Sequence, residues 1–177
     1  MESLHFKGKH DPMCHLMTFL AAATVKKPDN DQLKKLAYIH YEAKKKRLWA
    51  TDGHRLHLAH LDMGASNRAF RILNKKKSEI ELHEVDQKEI PVGLPNITVV
   101  LQAAHIIAKQ KVQFGRKPEI AYVKLMRLFQ KVILDQAFFN DLQILSDNWT
   151  ALLQDEDGAQ FFTSDNCMAV IMPLNVD

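Results

Sequence analysis

The feature that most constrains this chain is an internal repeat, in which Ile39 to Gly53 superposes on Leu152 to Asn166 without a gap, at an offset of 113 residues. Ile39 falls on Leu152, Glu42 on Asp155, Leu48 on Phe161, Trp49 on Phe162, Thr51 on Ser164, Asp52 on Asp165 and Gly53 on Asn166. Identity is low, but each of these seven positions keeps its role. Apolar residues fall on apolar ones, and the turn pair Asp-Gly falls on Asp-Asn, because Gly and Asn are the residues that tolerate the left-handed backbone of a tight turn. A repeat of this length implies one supersecondary unit used twice.

What precedes each copy is also shared. Asp11 reads as a helix N-cap and Pro12 as the first helical residue. Met13, Leu16, Met17 and Leu20 then recur at helical spacing, which predicts a helix over Pro12 to Ala23. In the second copy Asp135 caps a helix expected to run to about Leu145, with Phe138, Phe139, Leu142 and Leu145 on its buried face. Leu4 to Phe6 and Val132 to Leu134 are short strands ahead of these helices. After the first helix, Ala37 to Glu42, Leu48 to Thr51 and His54 to Leu61 read as antiparallel strands joined at Lys44–Lys46 and at Asp52-Gly53. The unit is strand, helix, three strands. Two such units predict an α+β domain with pseudo-twofold halves and both helices on one side of a sheet. The halves cover about 1–63 and 132–177, with residues 64–131 as an inserted segment. With 177 residues, 46% of them hydrophobic, the chain has material for one core, so a single domain over 1–177 is expected.

Within the first copy, Ala50-Thr51-Asp52-Gly53-His54-Arg55-Leu56 resembles the ATDGHRL segment of the bacterial DNA polymerase III beta subunit, the β sliding clamp family. Ala169-Val170-Ile171-Met172-Pro173-Leu174 is similar to that family's terminal VVMPM segment. The likeness covers about residues 36–63 and 132–176. It implies a DNA-clamp-like fold of paired βαβββ halves, as the repeat does independently. It also implies a hydrophobic groove for short peptides of DNA polymerases, clamp loaders and repair proteins. Carried over by position, that groove involves Thr51, Gly53, His54, Arg55, Leu56, Val170, Met172, Pro173 and Leu174. Taken singly, Leu56 and Val170 are equally well ordinary strand core, and Gly53 a turn residue.

The family subunit is a chain of three such domains and its rings contain six, so a comparable ring built from this chain needs six copies, a homo-oligomer. In the family the two segments belong to different domains, whereas here they share one chain. The groove then forms between neighbouring subunits, within one chain, or not at all. Family rings place helices against double-stranded DNA, which calls for Lys and Arg there. The first helix has no basic residue and the second carries Asp135 and Asp141. Lys124, Arg127 and Lys131, at helical spacing on the apolar segment Pro118 to Leu134, are better DNA-contact candidates. The same stripe also fits the solvated face of an amphipathic helix.

Charge is divided along the chain: residues 1–131 hold all 24 Lys and Arg, whereas 132–177 hold eight acids and no basic residue. This favours an anionic partner for the basic part, association between copies, or a dipolar solvated surface. Enzyme chemistry has little on its side. Six glycines supply neither a phosphate-cradling loop nor a nucleophile elbow, and no cofactor is implied. His54, His57 and His60 would alternate faces on a strand and cannot converge on one ion, and His10, Cys14 and His15 lack a further ligand. The longest apolar stretch, around Met17 to Val25, is short for a membrane span. With no secretory signal pattern, a cytoplasmic location and reduced thiols are expected for Cys14 and Cys167. Two functions remain: a replication clamp subunit on DNA, and a clamp-derived module that binds proteins or peptides without encircling DNA. In the inserted segment, a hairpin from Phe70–Leu73 to Ile80–Val85 and a helix over Asn96 to Lys109 are expected.

Overall fold

The computed structural model describes residues 2–90, 93–102, 105–128, 132–154 and 158–174. The chain divides into two compact units, 1–94 and 95–177.

In the first unit, β1 (Ser3–Lys7) leads into α1 (Pro12–Ala22), a short helix α2 (Asp31–Lys34), and strands β2 (Tyr38–Glu42), β3 (Arg47–Thr51), β4 (Arg55–His60), β5 (Arg68–Lys76) and β6 (Glu79–Glu84). The Asp11 carboxylate accepts the Met13 amide at 2.9 Å and Pro12 follows it, which is why α1 starts where the sequence says. The strands pair antiparallel in the order β1-β6-β5-β2-β3-β4. Helix α1 packs on this sheet through Cys14, Met17, Phe19 and Leu20. Met13 and Leu16, expected on the same face, are only half-buried. Ile39, Tyr41, Leu48, Phe70, Ile80 and Leu82 complete the core. Lys46, in the left-handed conformation at φ 46°, closes the β2–β3 connection.

The second unit contains α3 (Ile97–Gln102), β7 (Ala108–Gln113), α4 (Pro118–Leu128), α5 (Gln136–Asn140), a 3-10 turn over Asp141–Ile144, and strands β8 (Asn148–Leu153), β9 (Gln160–Ser164) and β10 (Cys167–Ile171). Its strands run antiparallel in the order β10-β9-β8-β7. Asp135 caps α5, accepting the Ala137 amide at 2.7 Å. The core gathers Leu134, Phe139, Leu142, Trp149 and Phe162. Trp149 Nε1 donates to the carbonyls of Leu142 and Ser146, so the buried indole meets its one polar requirement.

Three expectations change. Residues 64–131 are divided between the units, with β5 and β6 in the first and β7 and α4 in the second. The helix expected over Asn96 to Lys109 stops at Gln102, and Ala108–Gln113 is a strand. Pairing with β8 along its whole length overrides the modest helix preference of Lys and Gln. Finally, β3 and β9 match at the 113-residue offset, but the following turns differ in length: Asp52–His54 in the first and Asp165–Asn166 in the second. The left-handed residue is Gly53 (φ 93°) in one turn and Asp165 (φ 45°) in the other, so Asn166 does not take Gly53's part.

Candidate functional site

The Ala50–Leu56 segment is a strand, turn and strand that holds itself together. Thr51 Oγ1 donates to the Arg55 carbonyl at 2.6 Å and accepts the Gly53 amide at 3.1 Å. Asp52 Oδ1 accepts the amides of His54 and Arg55, each at 3.0 Å. The other carboxylate oxygen pairs with Arg55 Nε at 2.9 Å, and both side chains are nearly buried. From there Arg55 reaches 33 residues back in the chain and donates to the Ala22 carbonyl at the end of α1. The last carbonyls of a helix lack partners and carry partial negative charge, so a guanidinium there both satisfies and neutralises them. Arg55 is thus a latch between turn and helix. Arg55→Ala is expected to cost about 2–3 kcal/mol in urea unfolding, since it removes charge-assisted bonds on both sides. A loss below ~0.5 kcal/mol, the usual range for surface changes, would remove the latch from consideration.

The remaining residues of this segment separate by exposure. Thr51 and Leu56 are buried at 8% and 5%, whereas Gly53 and His54 are exposed at the turn. The histidines of β4 and its turn fall on different sides, as strand alternation requires: His57 is fully buried while His54 and His60 are exposed. His57 stacks on Phe19 with centroids 4.0 Å apart and its Nδ1 donates to the Phe19 carbonyl at 2.6 Å. Nε2 has no partner among the described residues. Burial therefore pushes its pKa down to about 3, with the Arg55 and Lys75 charges adding to the effect.

In the second unit Val170 lies in the core at 2% exposure. Beyond it the backbone stays strand-like: Pro173 bridges Leu134 and the Leu174 amide donates to the Ile133 carbonyl at 2.7 Å. The side chains beyond Ile171 leave the core. Met172 and Leu174 are 42% and 46% exposed, and Ile133, opposite Leu174 in this pairing, is 43% exposed. Strand alternation puts these three apolar side chains on one face. Ile133 escaped the sequence reading, since only the Leu134–Pro173 bridge brings it to Leu174. Lys124 and Arg127 are exposed on α4, and Lys131 lies outside the described residues. Among the described residues, no helix is long and apolar enough to cross a membrane.

No protein-family model matches the sequence, and no curated protein does. Solved structures do match, over nearly the whole chain. A Pseudomonas aeruginosa DNA polymerase sliding clamp aligns with TM-score 0.60 and 12% identity, covering 98% of this chain and 67% of its own. A Helicobacter pylori β clamp bound to a DNA ligase peptide gives 0.58 and 12%, covering 98% and 66%. A putative DNA polymerase III beta subunit from Eubacterium rectale gives 0.57 and 11%, covering 99% and 66%. The chain thus spans about two thirds of the length of these structures. Its fold is that of a DNA clamp. More particularly, it is a divergent form of the DNA polymerase III β sliding clamp fold.

Proposed function

We propose that this chain is a non-catalytic, clamp-like accessory of DNA replication that takes short apolar peptides of replication proteins on the Met172–Leu174 strand end. The observation that carries this reading is the exposure of Met172, Leu174 and Ile133 on one face of a pinned backbone in a clamp fold. Flexible Met and branched aliphatic side chains adapt to varied apolar partners, and the fixed backbone spares the entropy of ordering the site. Val170, buried in the same unit, belongs to its supporting core. The H. pylori clamp binding a DNA ligase peptide makes that peptide the natural first ligand. Fluorescence anisotropy with the labelled peptide should show saturable binding, and Met172→Asp or Leu174→Asp should weaken it at least tenfold, about 1.4 kcal/mol. Equal affinity in both variants, with circular dichroism unchanged, would sink the proposal.

A second reading has Lys124 and Arg127 contacting double-stranded DNA, and its support is their exposure on α4. It predicts binding that weakens steeply with salt. A homo-oligomeric ring goes with this reading, and light scattering with and without a duplex tests both. Helix α1 lends the ring no help, having neither Lys nor Arg.

A further inference from the structure

Strand β7 ends the strand order of the second unit and pairs only with β8 among the described residues. The Phe114 amide donates to the Asp147 carbonyl at 2.7 Å, which sets the phase of the ladder. Antiparallel pairing alternates, so the amides and carbonyls of Lys109, Lys111 and Gln113 face away from β8. The Lys111 carbonyl indeed accepts from the Gln110 side chain instead of from a strand. An edge of this kind is a template for another strand.

Beside that edge runs α4, and between them lie two adjoining clefts of about 310 and 360 Å³. Val112, Ala121 and Leu125 make an apolar floor, all three buried. Lys111, Lys117 and Lys124 stand exposed on the rim, joined by Arg116, and among the described residues no acid lines either cleft. None of these four cations has an ion-pair partner among the described residues. Lysines on an edge strand ordinarily deter pairing with neutral or basic strands. The same lysines favour one kind of strand, an acidic one.

We propose that the β7–α4 cleft binds an extended acidic peptide of a partner protein, added as a strand to the β7 edge. Its backbone pairs with Lys109, Lys111 and Gln113, its apolar side chains enter over Val112 and Leu125, and its carboxylates meet the rim cations. Strand addition supplies affinity through main-chain bonds and specificity through alternate side chains. The occupant is a peptide rather than nucleic acid because the cleft pairs an apolar floor with an unpaired strand edge, neither of which a phosphodiester backbone uses. The proposal is independent of the Met172–Leu174 site.

The test uses the full chain and a fluorescein-labelled Leu-Glu-Leu-Glu-Leu-Glu peptide, with three comparators: the Leu-Lys analogue, the Leu-Glu peptide N-methylated at alternate amides, and a 20-base-pair duplex. The expected result is saturable binding of the acidic peptide and at least tenfold weaker binding of both other peptides. Lys111→Glu combined with Lys124→Glu should also lose at least tenfold, Met172→Asp should change nothing, and amide shifts should centre on Lys109, Lys111 and Gln113. The proposal is overturned if the acidic peptide fails to bind, if the lysine or N-methylated peptide binds as well, if Met172→Asp abolishes binding, or if equimolar duplex displaces the peptide.

Discussion

Phe139→Ala is expected to lower stability by about 3–5 kcal/mol, the range for removing a buried phenylalanine and leaving its cavity. The ring is fully buried at the centre of an aromatic cluster. Its centroid lies 4.9 Å from Phe114, 5.6 Å from Tyr122 and 5.8 Å from Phe162. These neighbours come from the β7–α4 connection, α4 and β9, so one truncation loosens elements far apart in sequence. Tyr122 in turn donates to the Leu134 carbonyl, next to the bridge that pins Pro173. Against a typical total of about 5–15 kcal/mol the loss is large. Phe138→Ala, at a half-buried position, should cost clearly less in the same urea titration. Equal losses at the two positions would contradict the packing described.

Mild acid is expected to destabilise the first unit, and His57 and His40 are the reason. His57 is held neutral with its pKa near 3 by burial. His40 is lowered to about 4, again chiefly by burial, although the Lys35 carbonyl and Glu42 oppose the shift. It stacks on Trp49 at 4.4 Å and donates from Nε2 to Lys35. In the unfolded chain both rings take up protons near pH 6.5, whereas in the folded chain they stay neutral until far lower pH. The unfolded state therefore binds more protons through this window, and stability is full above about pH 6.5 and falls as pH drops toward the folded values. Two such groups cost about 4 kcal/mol between pH 7 and pH 5. Carboxylates with lowered pKa, such as Glu84 beside Arg68, add their own loss only below about pH 4.5. Urea midpoints at pH 7 and pH 5 separate the two effects. A flat profile between them would show that neither histidine is buried neutral.

Local signals explain what could be read early. A carboxylate before a helix and a proline at its start act within three residues, so Asp11-Pro12 and Asp135 marked the starts of α1 and α5, although α5 ends at Asn140, short of the expected Leu145, and a 3-10 turn follows. Asp52-Gly53 marked its turn for the same reason, and the hairpin expected from Phe70–Leu73 to Ile80–Val85 is the β5–β6 pair, closed at Lys77-Ser78. Where the outcome depended on a distant partner, local preference misled. Ala108–Gln113 contains good helix formers and became a strand because β8 pairs with it. The second turn kept Asp-Asn in line with Asp-Gly, yet placed the left-handed residue one position earlier. Of the candidate groove residues, the sequence could not tell the buried Thr51, Leu56 and Val170 from the exposed Met172 and Leu174.

The repeat and the Ala50–Leu56 segment by themselves determined the clamp-like fold, because a strand-helix-strands unit used twice leaves few ways to bury its apolar faces. Tertiary structure alone decided which side chains are available. Arg55 finds its carbonyl 33 residues away, Ile133 meets Leu174 only through the Leu134–Pro173 bridge, and β7 becomes an open edge only because β8 takes its other side. Each depends on contacts between segments remote in sequence, and periodicity carries no information about those.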